Sequence, residues 1–374
     1  MTTMENLEFS EGISEEMLES AARLDGMSLR VEPWNREASL DSIRHYAWGL
    51  GDPNPLYSDE EYARQSVHGG VIAPPTFLYS SYDGAIGLGF PGVQPIYAGT
   101  EWTFHETIRV GDRIRPESRM GAVTTHQGRH SNNFAIQRVT TDYIREQDGA
   151  LMATALATTF RVPRASADGG LSYRPRAESR YSEEEIEAIR QHAMAEEIRG
   201  ATPRPASSVR IGDTIPEVVK GPIDQITMTA YYAGCIGSPG YKACEMAWRY
   251  RTWAVEDPSR LPNNYDTTYF SERVLPSLGH QNVSVAREIG MPGAYNNGPQ
   301  KCGWMAHPVL NWMGDTGRLA ELQVRLRRPD IFGDTVWCGG TVTGVDGNRV
   351  SIDLSARNQL GETTAEGSAV VELP

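Results

Sequence analysis

The chain has 374 residues, four cysteines and a formal net charge of -13, with a pI near 5.2 and a mean hydropathy of -0.44. That length suits two modules of about 150 residues each, and the acidity opposes a general nucleic-acid role, because phosphate binding needs a basic surface. No run of about 18 apolar residues could cross a bilayer and no charged-then-apolar leader precedes a cleavage site, so a cytoplasmic protein with no membrane partner is expected.

The first thirty residues are polar and acidic, with a weak helical pattern over 15–24 that suggests an arm ahead of the first globular half. A short helix fits 40–48, and Gly49, Gly51, Asp52, Pro53, Asn54 and Pro55 then break it with turn chemistry. A second helix can begin near Ser58, with Asp59, Glu60 and Glu61 at the positive end of its dipole. Strand-like runs follow over 102–109, 113–123, 133–145 and 151–162. Residues 163–180 read as a linker, and Ser182 with Glu185 forms a capping box opening a connecting helix to about 198. A strand over 209–219 enters the second half, a short helix fits 226–232, and strands near 322–328, 335–345, 350–358 and 363–373 close it. The expected division is 1–165 for the first half with its arm, 166–205 for linker and connecting helix, and 206–374 for the second half, carrying an insertion over 239–278. Cys235, Cys244, Cys302 and Cys338 lack paired spacing, which favours reduced thiols over disulfides or a metal site.

The two halves share a degenerate repeat. Tyr62-Ala63-Arg64 precedes Gly69-Gly70-Val71-Ile72-Ala73-Pro74-Pro75 in the first, and Val285-Ala286-Arg287 precedes the turn from Gly290 through Asn296-Asn297-Gly298 in the second. Each is followed by a Gly-Asp turn, Gly111-Asp112 and Gly333-Asp334. An α+β architecture follows, a helix wrapped by an antiparallel sheet, twice.

The run Gly51-Asp52-Pro53-Asn54-Pro55-Leu56-Tyr57-Ser58-Asp59, with Ala63 and the glycine-rich turn, resembles the hydratase motif of the MaoC-like enoyl-CoA hydratases and dehydratases. The closing stretch from Asn358-Gln359-Leu360-Gly361 through Pro374 resembles that family's final hairpin. The resemblance implies a double hot-dog fold, two antiparallel sheets each wrapping a central helix, acting on an acyl-CoA thioester with no further cofactor, in a homodimer. It also implies a catalytic Asp and His five positions apart, and a later glycine whose N–H meets the thioester oxygen.

Adding water across an α,β-unsaturated thioester needs a base for water, an acid near the α-carbon and donors where enolate charge develops. In the first half Asp52 matches the family acid, but Tyr57 stands at the histidine position and Pro75, without an N–H, at the oxyanion glycine. An Asx turn beside Pro53 is the competing reading of Asp52. In the second half His280, Asn282, Ala286 and Gly290 keep the family spacing, and Gly298 falls at the oxyanion glycine. Asn282 cannot titrate and suits a cap or an orienter of the imidazole. No aspartate stands at the matching place; Ser238 is the nearest position, and Asp266 or Glu272 of the insertion could fold back to replace it. Tyr57, Tyr295, Asn297 and Trp304 are the expected substrate contacts. The aromatic insertion, with Tyr241, Trp248, Tyr250, Trp253, Tyr265, Tyr269 and Phe270, suits either the wall of a bulky acyl pocket or packing. His307 reads as a packed helix histidine, and Arg325, Arg327 and Arg328 as weak candidates for CoA phosphates. The expected reaction is hydration or dehydration of an acyl thioester; a silent acyl-binding subunit and a thioesterase remain open alternatives.

Overall fold

The computed structural model describes residues 12–84, 88–90, 93–126, 134–162, 174–236, 242–262 and 276–374. The first half contains α1 (Glu15–Ala22), β1 (Ser28–Leu29), α2 (Leu40–Leu50), α3 (Glu60–Gln65), β2 (Gln94–Phe104), β3 (Ile114–Met120), β4 (Thr124–His126), β5 (Phe134–Arg145) and β6 (Leu151–Val162). After the connecting helix α4 (Glu183–Met194), the second half adds β7 (Thr214–Lys220), α5 (Gln225–Cys235), α6 (Cys244–Glu256), α7 (Val283–Glu288), α8 (Gly298–Met313), β8 (Arg318–Leu326), β9 (Val336–Asp346), β10 (Arg349–Asn358) and β11 (Thr363–Glu372). No helix among the described residues is long and apolar enough to cross a membrane.

The strands form one sheet in the order β1-β3-β5-β6-β2-β8-β11-β10-β9-β7, with β4 on β5. Read from the centre outward the two sides have the same connectivity, so the repeat seen in the sequence is a structural one. Two half-sheets are joined edge to edge by antiparallel pairing of β2 with β8, Gly99 opposite Arg325 and Thr103 opposite Glu321. Pairing these edges removes two exposed rows of backbone donors and acceptors that would otherwise invite aggregation. β2 bulges at Tyr97/Gly99 against β6, and Gly99 sits at φ 144, where an added Cβ would lie 2.0 Å from the Val324 carbonyl oxygen; only glycine passes there.

The hot-dog helix of the second half is the fully formed one. In α8 every residue from Pro299 to Met313 is buried. The first half differs from the expected symmetric arrangement, since a 3-10 segment, Pro75–Ser80, stands at the equivalent place. The carbonyls of Ser80 and Ser81, which a longer helix would use internally, instead accept the N–H groups of Asn35 and Trp34 at 2.9 Å each, and Gly84 follows at φ 70. Sequence boundaries shift for similar local reasons. β2 begins at Gln94 rather than 102, running through the bulge. β7 begins at Thr214 rather than 209, because the Asp213 carboxylate takes the Arg210 N–H at 2.8 Å and makes a turn there. α4 stops at Met194 rather than near 198, because Glu196 turns inward to accept from Asn311 at 2.8 Å.

Helices α2 and α5 cross at the centre between the halves. The contact is glycine to backbone on both sides: a Cβ on Gly49 would stand 2.9 Å from the Ala230 carbonyl oxygen, and one on Gly234 2.1 Å from that of His45. A second tie is ionic. Lys220 Nζ donates to the carbonyls of Leu50 and Gly51 at 3.1 and 2.8 Å and reaches His307 Nδ1 at 2.6 Å. His307 Nε2 lies 2.8 Å from Glu196 and 3.3 Å from Asp52. An ammonium can only donate, so Nδ1 accepts and the ring proton faces the two carboxylates. Burial holds the Lys220 pKa below the usual lysine value, with the charges of Asp52 and Glu196 opposing that shift.

Gly234→Ala forces the two helices apart and is expected to cost about 2–3 kcal/mol in chemical denaturation. Lys220→Met, which leaves the Glu196 and Asp52 carboxylates without their cation, is expected to cost about 3–5 kcal/mol in the same measurement. An unchanged denaturation midpoint in either variant would refute the corresponding contact.

Candidate active site

The two motif regions superimpose element by element. In each half the glycine-rich turn bridges to the segment before the Gly-Asp turn, Ile72 with Arg109 and Tyr295 with Ile331. Asp59 caps α3 through the N–H groups of Glu61 and Tyr62, and Asn282 caps α7 through that of Val285. Ala63 and Ala286, one turn into these helices, are both fully buried. This frame makes Tyr57 the counterpart of His280 and Pro75 the counterpart of Gly298. Asn282 has the role of a helix cap.

In the second half the frame draws the expected groups together. His280 ends the 3-10 segment Pro276–His280, and its Nδ1 lies 3.0 Å from the carbonyl oxygen of Tyr295, three residues before Gly298. Because a carbonyl only accepts, Nδ1 carries the proton and the neutral ring presents Nε2 as a base. Burial pushes the His280 pKa down to about 4, against the opposing pull of the Tyr295 and Asn296 backbone. The ring of Tyr295 lies 4.2 Å from the imidazole and that of Tyr232 6.2 Å, while Asn297 Nδ2 donates to the Tyr232 hydroxyl at 3.4 Å. Gly298 opens α8, a 16-residue helix whose first N–H groups and dipole favour negative charge.

The first half supplies the opposite wall. A Cβ on Gly298 would stand 2.7 Å from the Tyr97 ring of β2, so glycine here is a requirement of close packing. The Tyr97 hydroxyl bonds with Thr100 and donates to the Asp83 carbonyl at 3.2 Å. The group of Asp83 tied to Tyr97 is thus its backbone carbonyl. Sequence reading missed Tyr97, Tyr232 and Asp83. Tyr97 lies on the other half, and Asp83 on a segment read only as loop; Tyr232 alone had a signal, closing the helix before the insertion. Ser238, Tyr241, Tyr265, Asp266, Tyr269, Phe270 and Glu272 lie outside the described residues.

Asp52, the first-half match to the family acid, takes the Asx-turn arrangement that is its competing reading. Its carboxylate accepts the Asn54 N–H at 3.0 Å, an Asx turn, and faces His307, nine residues along α8 from Gly298, about 14 Å at the helical rise of about 1.5 Å per residue. His307 is a buried helix histidine, as expected, but one engaged by charge. Tyr57 is buried at the same end, beside a cavity of about 50 Å³ bordered by Tyr57, His68, Pro75, Glu106 and Asp315. Trp304 is enclosed in the main apolar cluster at 1% exposure. Arg327 and Arg328 pair with Glu366 and Glu362 on the surface, and Arg325 is exposed. In the described part of the insertion the Trp253 ring lies tilted against Tyr250, centroids 5.3 Å apart, with the Arg260 guanidinium 4.2 Å over it. Trp248 is exposed. Arg30 of the first half holds the carbonyls of Ser259 and Leu261.

Comparison with known proteins fits this frame. Residues 26–155 match the family model of the FAS1-like dehydratase domain region. A UPF0336 protein of Streptomyces griseus is 32% identical over 127 residues, 32% of this chain and 81% of that relative. One of Streptomyces avermitilis is 29% identical over 140 residues, 36% and 88%. Among solved structures, a MaoC-like dehydratase superimposes with a TM-score of 0.66 at 17% identity over 95% of this chain and all of the other. A conserved Mycobacterium tuberculosis protein described as having a double hot-dog fold gives 0.54 at 11% identity, over 93% and 96%. The first half carries the sequence likeness and the whole chain the shape: the chain has the double hot-dog fold seen in MaoC-like dehydratase structures, and through its first half it belongs to the UPF0336 family.

Proposed function

We propose that the chain hydrates an α,β-unsaturated acyl-CoA, or runs the reverse dehydration, at the second-half site. The observation that carries this reading is that the His280 imidazole is fixed, as the Nδ1–H tautomer, to the carbonyl three residues before the helix-opening Gly298. A general base and an anion-favouring helix terminus thus share one neighbourhood. In the hydration direction, His280 Nε2 takes a proton from water as the oxygen bonds to the β-carbon. The alkene pair moves to the α-carbon and the thioester oxygen, where the first N–H groups of α8 stabilise the developing enolate. The imidazolium, acidic because it is buried, then gives its proton to the α-carbon, so that H and OH are added and the base is regenerated. The supporting role of the first half is to close the site with Tyr97, which packs on Gly298.

His280→Gln is expected to lower kcat/KM for an enoyl-CoA by about 10²- to 10⁴-fold, the usual contribution of a positioned acid-base group, followed as loss of enoyl-thioester absorbance. Tyr57→Phe, at the other end of α8, should stay within about twofold of the parent in that assay, as expected for a residue outside the acid-base pair. A fully active His280→Gln protein, or release of free thiol in step with substrate loss, would overturn the hydratase reading.

The pH dependence follows from the depressed pKa. His280 must be unprotonated to act as base, so kcat/KM should be level through neutrality and decline only as pH falls through about 4, not near the ordinary histidine value of about 6.5. An acid limb centred near 6.5 would show that the active base is not this half-buried imidazole. Folding stability shares the direction: the unfolded chain binds the proton first, so this residue's contribution is complete above the ordinary value and is lost as pH drops between that value and about 4.

A further inference from the structure

Two buried side-chain amides at the head of α8 have donors without partners among the described residues. Asn296 is 4% exposed and Gln300 0%, and neither Asn296 Nδ2 nor Gln300 Nε2 meets a hydrogen-bond acceptor. Their orientation is fixed by their other ends. Asn296 Oδ1 accepts the Asp330 N–H at 3.2 Å, and Gln300 Oε1 folds back over the first turn to accept the Asn297 N–H at 3.3 Å. The two NH2 groups are therefore donors by assignment of the network, on either side of Gly298 in sequence. A folded protein rarely leaves such groups unpaired, because burial strips their water without replacement. The repeat provides a control: the same positions in the first half, where Tyr57 and Pro75 have replaced the histidine and the glycine, are Ala73 and Phe77, both buried. Free amide donors thus accompany the intact histidine and glycine and are missing where these are missing.

We propose that Asn296 and Gln300 are specificity-determining residues, recognising a neutral oxygen acceptor, a keto or hydroxyl group, on the acyl chain close to the thioester. The acceptor is neutral because the donors are. Lys301, the buried ammonium on the first turn of α8, is already paired with Asp330, so a second carboxylate on the ligand would find no free counter-charge there. The inference rests on the thioester reading of this site, and adds to it the class of acyl group. A site built to hydrogen-bond an oxygen discriminates strongly against the analogue lacking it, because its own donors are then left unpaired.

The test uses the whole chain and three unreactive ligands, pentanoyl-CoA, 4-oxopentanoyl-CoA and 5-hydroxypentanoyl-CoA, with affinities measured by calorimetry. At least one oxygenated ligand should bind tenfold or more tightly than pentanoyl-CoA, the lower end of what such pairing gives. Gln300→Met removes the donor with an uncharged side chain of similar length; it should remain folded, checked by its thermal midpoint, and lose most of the preference. Asn296→Leu, which removes the other donor without adding charge, should lose it likewise. Equal binding of all three ligands by the parent overturns the inference, as does a preference that survives in both variants. A uniform loss of affinity in the variants assigns the amides to the thioester carbonyl and also overturns it. A preserved preference in a protein that hydrates no enoyl-CoA overturns the hydratase reading alone, and no binding of any ligand overturns both.

Discussion

The antiparallel pairing of β2 with β8 is the constraint on which the rest of the molecule depends. It fuses two half-sheets into one, and by doing so it fixes where the first half's side chains meet the second half's helix. Tyr97 can lie on Gly298 only because β2 approaches β8 closely enough for Gly99 to sit almost against the Val324 carbonyl. A region assembled from one module and walled by the other is the consequence, so the placement of His280 and Gly298 against Tyr97 is only as secure as that seam.

The halves have diverged in opposite directions from one plan. The second keeps a long buried helix, an imidazole at the turn before it and a glycine at its head. In the first, Tyr57 and Pro75 occupy those places, the helix is reduced to a short 3-10 segment, and the backbone carbonyls at its end are given over to Trp34 and Asn35. A phenol with its pKa raised by burial and a residue without an N–H cannot supply acid-base exchange or an oxyanion donor at neutral pH. What the first half retains is structural. Asp52 holds its Asx turn and faces the buried ion cluster around His307, where Lys220 binds the end of α2 to the core of the other half.

This division explains why α8 has different chemistry at its two ends. Its head carries the Asn296 and Gln300 amides, with the His280 imidazole before it and the buried Lys301–Asp330 pair on its first turn. Nine residues on, His307 stands among Lys220, Glu196 and Asp52, ionisable groups from three separate segments.

The sequence by itself determined the repeat, the α+β class and the succession of most strands along the chain, which follow from local spacing, turn residues and hydrophobic alternation that each segment carries within itself. The equivalence of Tyr57 with His280 and of Pro75 with Gly298 came from the resemblance to the MaoC-like motif. The sequence did not reveal the ion cluster that Asp52 faces or the enclosure of Trp304, and gave no sign of Tyr97, Asp83 or the unpaired amides of Asn296 and Gln300. Only the tertiary structure decided these, because they depend on which edges of two half-sheets join and on how closely two helices cross at Gly49 and Gly234. Contacts between residues distant in the chain are set by that packing, and no periodicity within a segment encodes them.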